Sequence, residues 1–414
     1  MDPILRKNFS YLFLLQNLNY IIPLLLLPYL TRVLGADNFG KIAFAQAFIS
    51  YFTMLTDFGF GTSAMQQIVK VRNDKEALSR VYWTTTFAKL IFASASLILF
   101  LLLLLGVPKL GQMYLLLLIA FVAVPSSVLF PVWLFQGLEK MSWLTWLSSL
   151  PKIGVLILTV LLVREKSDFT LALLIQVAGT FVTSLACLLL IAKQKTILFY
   201  LPSREDIKSA TIESWHFFAS GFATNIYTTT NTVLLGFFSS DAVVGIFSAS
   251  EKIIRAIIAL FYSIYQVTFP RITAYYQDSK EQALIFAGKV LKVTAISTFL
   301  TGIFLLVAAP FLVKILFGVP QYNETIVVMR LSSFMPFVAN CNAVIAVNLL
   351  FTFGLKRYLT RIVGIAGIFS VLLVIPAILF FQARGVAVVG TLTEMLISVL
   401  LLYVLKKHKI RIIL

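Results

Sequence analysis

Long apolar runs limit what this chain can fold into more than any other feature. Residues 12–30 and 91–105 are largely leucine, isoleucine and other apolar side chains. A helix needs about 20 such residues to cross about 30 Å of hydrocarbon. Because hydrocarbon offers the backbone no hydrogen-bond partners, these runs must form helices, and the unbroken leucines at 101–105 do not fit the alternating pattern of a membrane β-barrel. The sequence therefore predicts an all-α membrane protein.

The composition agrees with this prediction, because 60% of the residues are hydrophobic and only 12% are charged. In a soluble protein a net charge of +17 would suggest nucleic acid, but here it is expected to flank membrane spans. We therefore expect no nucleic-acid partner. Cys187 and Cys341 lie within apolar runs and are interpreted as small core residues. The two histidines, His216 and His408, have no metal-ligand spacing, and no cofactor, metal or catalytic site is predicted.

About twelve spans account for the apolar runs. We place them at residues 10–34, 40–63, 82–105, 113–135, 143–163, 169–191, 214–238, 245–269, 290–313, 325–351, 361–381 and 386–405. The two termini and the alternate loops on their side carry roughly three times as many Lys and Arg residues as the other loops. Basic loops remain in the cytoplasm, so both termini are predicted to be cytoplasmic.

A basic segment at residues 193–213 divides the spans into two sets of six. The predicted organisation is an N-terminal lobe at 1–192, a cytoplasmic linker at 193–213 and a C-terminal lobe at 214–414. Short glycine-containing segments match between the halves: 34–40 resembles 235–245, and 134–138 resembles 350–355. Repeats of six spans insert in the same orientation, so an axis along the membrane normal should relate them.

Charged residues inside the spans mark candidate binding residues, because each costs at least about 2.5–3.5 kcal/mol at the bilayer centre. The basic ones are Lys89, Lys152, Lys252, Arg255, Lys292 and Arg330, of which the last two lie near helix ends, where their charges can reach the membrane surface. The acidic ones within or beside spans are Asp57, Glu251 and Glu394. Glu251 and Arg255 are spaced to neutralise each other along one helix face, which leaves Lys252 over. A net basic interior suits an anionic substrate. The carboxylates are candidates for coupling transport to a proton or sodium ion.

Uncharged polar residues cluster in spans one, seven and ten. The candidates that we select from them are Asn19, Asn225 and Asn231. Such amides either bond neighbouring helices together or line a cavity with groups suited to sugars.

Several segments resemble Wzx-type polysaccharide repeat-unit flippases, of the superfamily that includes MATE multidrug exporters and lipid II flippases. They are Leu30-Thr31-Arg32-Val33-Leu34-Gly35, Phe39-Gly40, Asp57-Phe58-Gly59, residues 131–141 (PVWLFQGLEKM) and residues 314–318 (KILFG). The resemblance implies a V-shaped fold of two six-helix lobes with a central cavity. It implies a cargo of undecaprenyl pyrophosphate carrying an O-antigen or capsule oligosaccharide, flipped to the periplasmic leaflet by alternating access. Arg32 matches the arginine before the first glycine turn of these flippases. The resemblance also implies a bacterial inner membrane, with membrane lipids and other polysaccharide-assembly membrane proteins as further expected partners.

Three other functions are weighed against a flippase. A drug exporter of the same superfamily would favour an acidic cavity for cationic drugs. An integral-membrane polysaccharide polymerase or ligase would carry a large periplasmic loop, whereas the predicted periplasmic loops have only about five to ten residues. A purely structural scaffold would not explain charge inside the membrane. The sequence therefore predicts a transporter rather than an enzyme.

Overall fold

The computed structural model describes the backbone of residues 3–318 and 320–412. It describes side chains from residue 21 to 412, apart from those at 220, 223, 224, 226, 227, 262, 263, 266 and 319. Throughout this part of the chain the regular structure is helical. The predicted all-α class is therefore confirmed.

The helices follow one another with short connections. They are α1 (Pro3–Asp57), α2 (Phe60–Val71), α3 (Lys75–Gly106), α4 (Pro108–Gln112), α5 (Tyr114–Phe121), α6 (Ala123–Leu129), α7 (Val132–Gly137), α8 (Met141–Leu162), α9 (Phe169–Gln194), α10 (Arg204–Phe238), α11 (Asp241–Asp278), α12 (Lys280–Leu316), α13 (Asn323–Leu331), α14 (Met335–Ala343) and α15 (Lys356–Lys407). A π-helix, Val344–Phe351, continues α14, and 3₁₀ turns lie at Lys166–Asp168 and Pro320–Tyr322.

Two of these helices are kinked and are too long to be single spans. The 55 residues of α1 bend at Gly35 (φ 74°, ψ 175°), and the 52 residues of α15 bend at Gln382 (φ 48°, ψ −131°). At about 1.5 Å per residue each would be roughly 80 Å long, more than twice the hydrocarbon thickness. Each of these helices contains two predicted spans joined at its kink.

By length and composition, six helices of the described chain can cross a membrane. A seventh candidate is the pair Pro320–Leu331 and Met335–Phe351, which is bent by 45°. These helices support a multi-pass membrane protein, and the number of twelve spans stays a prediction.

The chain forms two compact units. Unit 1 contains Met1–Pro23 and Phe44–Phe222, and unit 2 contains Leu24–Ala43 and Ala223–Leu414. A core of unit 1 packs Ile68, Trp133 and Cys187 together, and a core of unit 2 packs Ala366, Leu401 and Leu350. The buried position of Cys187 agrees with its interpretation as a core residue.

The basic segment 193–213 packs on unit 1. The backbone N–H of Leu198 donates to Ser79 Oγ at 2.8 Å, and Trp83 Nε1 donates to the carbonyl oxygen of Leu198 at 2.9 Å. Asp206 accepts hydrogen bonds from Arg80 Nη2 at 2.5 Å and from Tyr200 Oη at 2.8 Å. The guanidinium of Arg80 holds the pKa of the Asp206 carboxyl well below its usual range, so this anchor remains ionised at neutral pH.

Two glycines that match between the halves meet inside unit 2. A Cβ on Gly40 would overlap the carbonyl oxygen of Asp241, and a Cβ on Gly245 would overlap the carbonyl oxygen of Ala36. The two contacts are equivalent, because Ala36 and Asp241 each lie four residues before the glycine of their own helix. The start of the second helix of each repeat therefore crosses its counterpart with the backbones in close contact, as only glycine allows.

A second repeated feature is the turn that ends α7 and its counterpart in the second half. The N–H of Lys140 bonds to the oxygen of Phe135 at 2.8 Å, and the N–H of Leu355 bonds to that of Leu350 at 2.7 Å. Glu139 (φ 57°) and Gly354 (φ 72°) both take the left-handed conformation of such helix ends. The structural equivalent of Leu134 is Leu349, so the sequence match at 350–355 is displaced by one residue.

Candidate functional site in the second unit

Unit 2 contains a cavity of about 270 Å³ between α10, α11, α15 and the segment from α13 to the π-helix. This last segment is irregular: its helix breaks at residues 332–334 and becomes a π-helix at Val344. Broken membrane helices are tolerated where they line a cavity or are buried in protein. The walls are mostly apolar. The polar side chains that line the cavity are Thr228, Asn231, Ser250, Glu251, Arg255, Ser332, Asn342 and Glu394.

An ion pair lies on the α11 wall. Arg255 donates to Glu251 Oε1 from Nε at 2.8 Å and from Nη2 at 2.7 Å, and Nη2 also donates to the carbonyl oxygen of Thr228 at 2.8 Å. Thr232 Oγ1 donates to Glu251 Oε2 at 3.2 Å. This is the neutralising pair predicted from the i,i+4 spacing. The Arg255 charge is therefore balanced locally.

Glu394, on the opposite wall, has neutral hydrogen-bond donors. Its carboxylate is buried, with 7% of the residue exposed, and accepts a hydrogen bond from Asn342 Nδ2 at 3.0 Å. Ser398 Oγ in turn donates to Asn342 Oδ1 at 2.6 Å, which orients the amide. Among the described residues no Lys or Arg forms an ion pair with Glu394. Burying an ionised carboxylate away from water and without an ion-pair partner is costly.

Ser250 adds an oxygen to the same cavity. It is 1% exposed, and its Oγ has no hydrogen-bond partner among the described residues. Ser250, Asn342 and Ser398 were not among the site residues predicted from the sequence. A signal existed for Asn342, which stands in the polar cluster of span ten, but a serine in an apolar span is too common to single out.

Lys252 is the cation of span eight that Glu251 does not neutralise. Its Nζ lies 4.8 Å from the centroid of the Phe39 ring, within unit 2. Of the side chains described, none accepts a hydrogen bond from it. A ring face attracts an ammonium group but does not neutralise it. The sequence prediction of one unbalanced positive charge in span eight agrees with this arrangement.

Arg32 lies at the end of α12. Its Nε donates to the carbonyl oxygen of Leu316 at 3.1 Å, and its Nη2 contacts that of Ile315. These are among the last carbonyls of the helix, which lack partners within it and attract a cation. A helix cap explains Arg32, and its predicted part in substrate binding stays a prediction.

Lys89 and Asp57 form an ion pair within unit 1. Lys89 Nζ donates to Asp57 Oδ1 at 2.9 Å and to the carbonyl oxygen of Ser127 at 3.1 Å. Asp57 is the last residue of α1, because Phe58 (φ 40°) and Gly59 (φ 76°) are left-handed and end the helix. From the sequence, Lys89 was a candidate for substrate binding and Asp57 a candidate for ion coupling. The structure pairs them with each other.

The remaining predicted residues lie in both units, and Asn231 shares the cavity of Glu251, Arg255 and Glu394. Lys152 is half-buried on α8 in unit 1, next to Pro151. Asn225 on α10 accepts a hydrogen bond from Thr229 Oγ1 at 3.4 Å, and Asn231 lines the unit 2 cavity. The side chain of Asn19 lies outside the described residues.

Comparison with known proteins identifies the family. Residues 5–276, about two thirds of the chain, match the family described as polysaccharide biosynthesis protein. The chain belongs to this family. A relative from Escherichia coli (strain K12), named a putative O-antigen transporter, is 31% identical over 406 residues and is covered to 98% in both chains. Its name supports a transporter rather than an enzyme, as predicted.

Solved structures share the fold of this polysaccharide biosynthesis family member. The lipid II flippase MurJ in an inward closed conformation has a TM-score of 0.73 at 13% identity, over 97% of this chain and 87% of that chain. An inward-facing multidrug resistance MATE family transporter of the MOP superfamily has a TM-score of 0.70 at 14% identity, over 94% of both chains. The predicted resemblance to the flippase and MATE superfamily is confirmed at the level of the fold.

Proposed function

We propose that this protein flips undecaprenyl-pyrophosphate-linked oligosaccharide repeat units from the cytoplasmic to the periplasmic leaflet by alternating access. The observation that carries the proposal is the nearly full-length similarity to a named O-antigen transporter. The fold shared with a lipid II flippase agrees with a lipid-linked cargo. The direct test is removal of the protein from its host. Undecaprenyl-linked repeat units should accumulate on the cytoplasmic side, and unchanged surface polysaccharide without accumulation would contradict the proposal.

Lys252 is our candidate for the residue that holds the pyrophosphate. Arg255 is balanced by Glu251, whereas Lys252 forms no ion pair among the described residues and has the Phe39 ring beside its ammonium group. Charge-assisted hydrogen bonds from Lys or Arg bind phosphate more strongly than neutral donors do. The leftover charge of span eight therefore lowers the cost of taking a pyrophosphate out of the headgroup region.

The test replaces three interior cations, one at a time, at matched membrane levels and scores surface polysaccharide. Lys252→Ala should reduce it at least about tenfold, the equivalent of losing roughly 1.4 kcal/mol of interaction. Arg255→Ala and Lys152→Ala are tested beside it, and Lys109→Ala, in the short helix α4, is the control. Retention of function in Lys252→Arg would show that charge suffices. Normal polysaccharide in all three alanine variants would contradict a cationic substrate site.

Glu394 is the candidate for coupling to a proton or sodium ion. Glu251 already has a cationic partner, but Glu394 is buried with neutral donors and faces the same cavity as Ser250. We expect transport in Glu394→Gln to lose its dependence on pH or sodium, because an amide cannot exchange the ion. Glu251→Gln should weaken transport through the unpaired Arg255 but keep that dependence. Membrane vesicles loaded with labelled repeat units provide the measurement, and unchanged ion dependence in both variants would exclude these carboxylates.

A drug exporter is the second candidate, and the fold shared with a MATE family transporter supports it. The two functions separate in the same deletion strain. Increased sensitivity to cationic drugs with normal surface polysaccharide would favour export. Loss of polysaccharide with unchanged drug sensitivity would favour the flippase.

A further inference from the structure

Unit 1 carries a basic pocket of about 440 Å³ outside the site described above. Three chain connections form it: the one before α3, the turn between α7 and α8, and the residues that follow α9. Its basic members are Arg72, Lys75, Lys140 and Lys195, and no acidic side chain lines it. We call these four residues and the space between them the basic pocket.

The framework of the basic pocket is rigid. Its floor contains Leu78 and Leu138, which belong to the packed core of unit 1. The turn that carries Lys140 is held by the bond from its N–H to the oxygen of Phe135. Gly137, at the end of α7, has no room for a side chain because a Cβ would press on Ile68. The charges therefore stand on fixed turns around an apolar floor.

The cations of the basic pocket are poorly balanced. Arg72 pairs with Glu139 at 3.0 Å, and Lys140 Nζ donates to the neutral amide of Gln194 at 3.4 Å. The carboxylate of Asp74 accepts from the backbone at the start of α3, as a helix cap. Within the described chain, Lys75, Lys140 and Lys195 form no ion pair with a carboxylate. Several like charges held around one space attract an anion.

The surroundings of the basic pocket place it at the depth of a membrane surface. The chain beyond Thr196 exposes large apolar side chains, with Phe199 74% and Leu201 69% exposed. Trp83 packs its ring against Phe199 at 5.2 Å between centroids and anchors the segment. Exposed aromatic and leucine side chains beside basic residues are typical of the boundary between headgroups and hydrocarbon.

We infer that the basic pocket binds the phosphate headgroup of an anionic lipid in the cytoplasmic leaflet. Lysine ammonium groups bind phosphate as point charges, and basic residues beside an anionic membrane attract its lipids. The leaflet follows from the predicted orientation, in which the basic loops lie on the cytoplasmic side. The binding itself does not depend on flipping, so it is tested separately from the proposed function.

The experiment compares the full-length protein with Lys75→Gln/Lys140→Gln/Lys195→Gln. Both are purified in a neutral detergent, and the probe is phosphatidylglycerol, retained on the protein and counted by native mass spectrometry. The expected loss is about fivefold in affinity for each charge removed. The matched control is Lys406→Gln/Lys407→Gln/Lys409→Gln, which removes three exposed charges from the C-terminal end and should retain the lipid like the unchanged protein.

Two further arms decide the source of the phosphate. Phosphatidylcholine should bind weakly and equally to all three proteins, because its headgroup has no net charge. Glycerol phosphate, which has the phosphate without acyl chains, should not displace phosphatidylglycerol at equal concentration. Equal retention by the pocket variant and the unchanged protein would overturn the inference. Displacement by glycerol phosphate would overturn it too, because the ligand would then be a soluble phosphate.

Discussion

At the scale of residues, the pair of Lys89 and Asp57 is buried unequally. The Lys89 side chain is 4% exposed, whereas that of Asp57 is 46% exposed. An ion left alone in the interior is expensive, but a half-exposed carboxylate can keep other polar contacts. Loss of the ion pair should therefore cost more free energy when Lys89 is left unpaired than when Asp57 is left unpaired.

This asymmetry predicts which substitution is the more damaging. Asp57→Ala leaves the buried ammonium group with the Ser127 carbonyl as its one remaining partner among the described residues, and should cost about 3–5 kcal/mol. Lys89→Met removes the charge and keeps much of the volume, so it should cost less. The measurement is the thermal unfolding midpoint of each purified variant in detergent. The double variant should unfold near Lys89→Met, and an Asp57→Ala midpoint equal to that of Lys89→Met would contradict the argument.

These ion pairs also show what could be predicted from the sequence. Glu251 and Arg255 are four residues apart on one helix, so their pairing follows from helix geometry. Lys89 and Asp57 are 32 residues apart on different helices. Their pairing depends on how α1 and α3 pack, which residue spacing does not encode. For the same reason the sequence marked Glu394 as buried but did not identify Asn342 and Ser398 as its partners.

At the scale of elements, the crossing at Gly40 and Gly245 determines how closely two helices of unit 2 approach. Both glycines face backbone carbonyls of the other helix, and backbone cannot rotate away as a side chain can. Replacement of either glycine must separate the helices. The crossing is therefore sensitive to a single methyl group.

Gly40→Ala and Gly245→Ala should each destabilise the protein by about 1–3 kcal/mol, as overpacking commonly does. Gly364→Ala is the matched control. This glycine lies within α15, has open space around its Cβ position, and gains helix propensity, so the change should be neutral or stabilising by up to about 1 kcal/mol. Thermal unfolding in detergent compares the three. Equal midpoints would show that the helices separate at no cost.

One of the two sequence matches between the halves agrees with the structure, and the other is displaced by one residue. Gly40 and Gly245, which the sequence match pairs, are also paired in the structure, because each packs against the backbone of the helix that carries the other. The match of 134–138 with 350–355 relied on glycines with different backbone roles: Gly354 is left-handed, whereas the left-handed residue of the first half is Glu139. The identity of a residue does not determine its backbone conformation, so a glycine in the sequence does not locate the left-handed position of a turn.

At the scale of the whole molecule, the sequence predicted the class and family correctly, but helix lengths alone do not give the number of spans. Helices α1 and α15 continue through kinks that the sequence placed between separate spans. Uncharged polar residues in α10, such as Asn225 and Asn231, and charged residues in α11, such as Glu251 and Arg255, reduce the apolar character of these helices, although both exceed 30 residues. Polar and charged residues inside a span lower its mean hydropathy, so the number of spans is determined by a topology measurement.

The predicted orientation is tested with reporters that are active only in the periplasm. Fusions at Lys166 and Asp241 should be active, and a fusion at Arg204 should be inactive, because basic loops remain in the cytoplasm. The fusions at Arg204 and Asp241 give the strictest test, because helix α10 separates these two positions. It extends over 35 residues from Arg204 to Phe238, about 50 Å, which exceeds the hydrocarbon thickness. Its two ends should therefore report opposite sides. Activity at Arg204, or equal activity at Arg204 and Asp241, would overturn the orientation and with it the cytoplasmic leaflet assigned to the basic pocket.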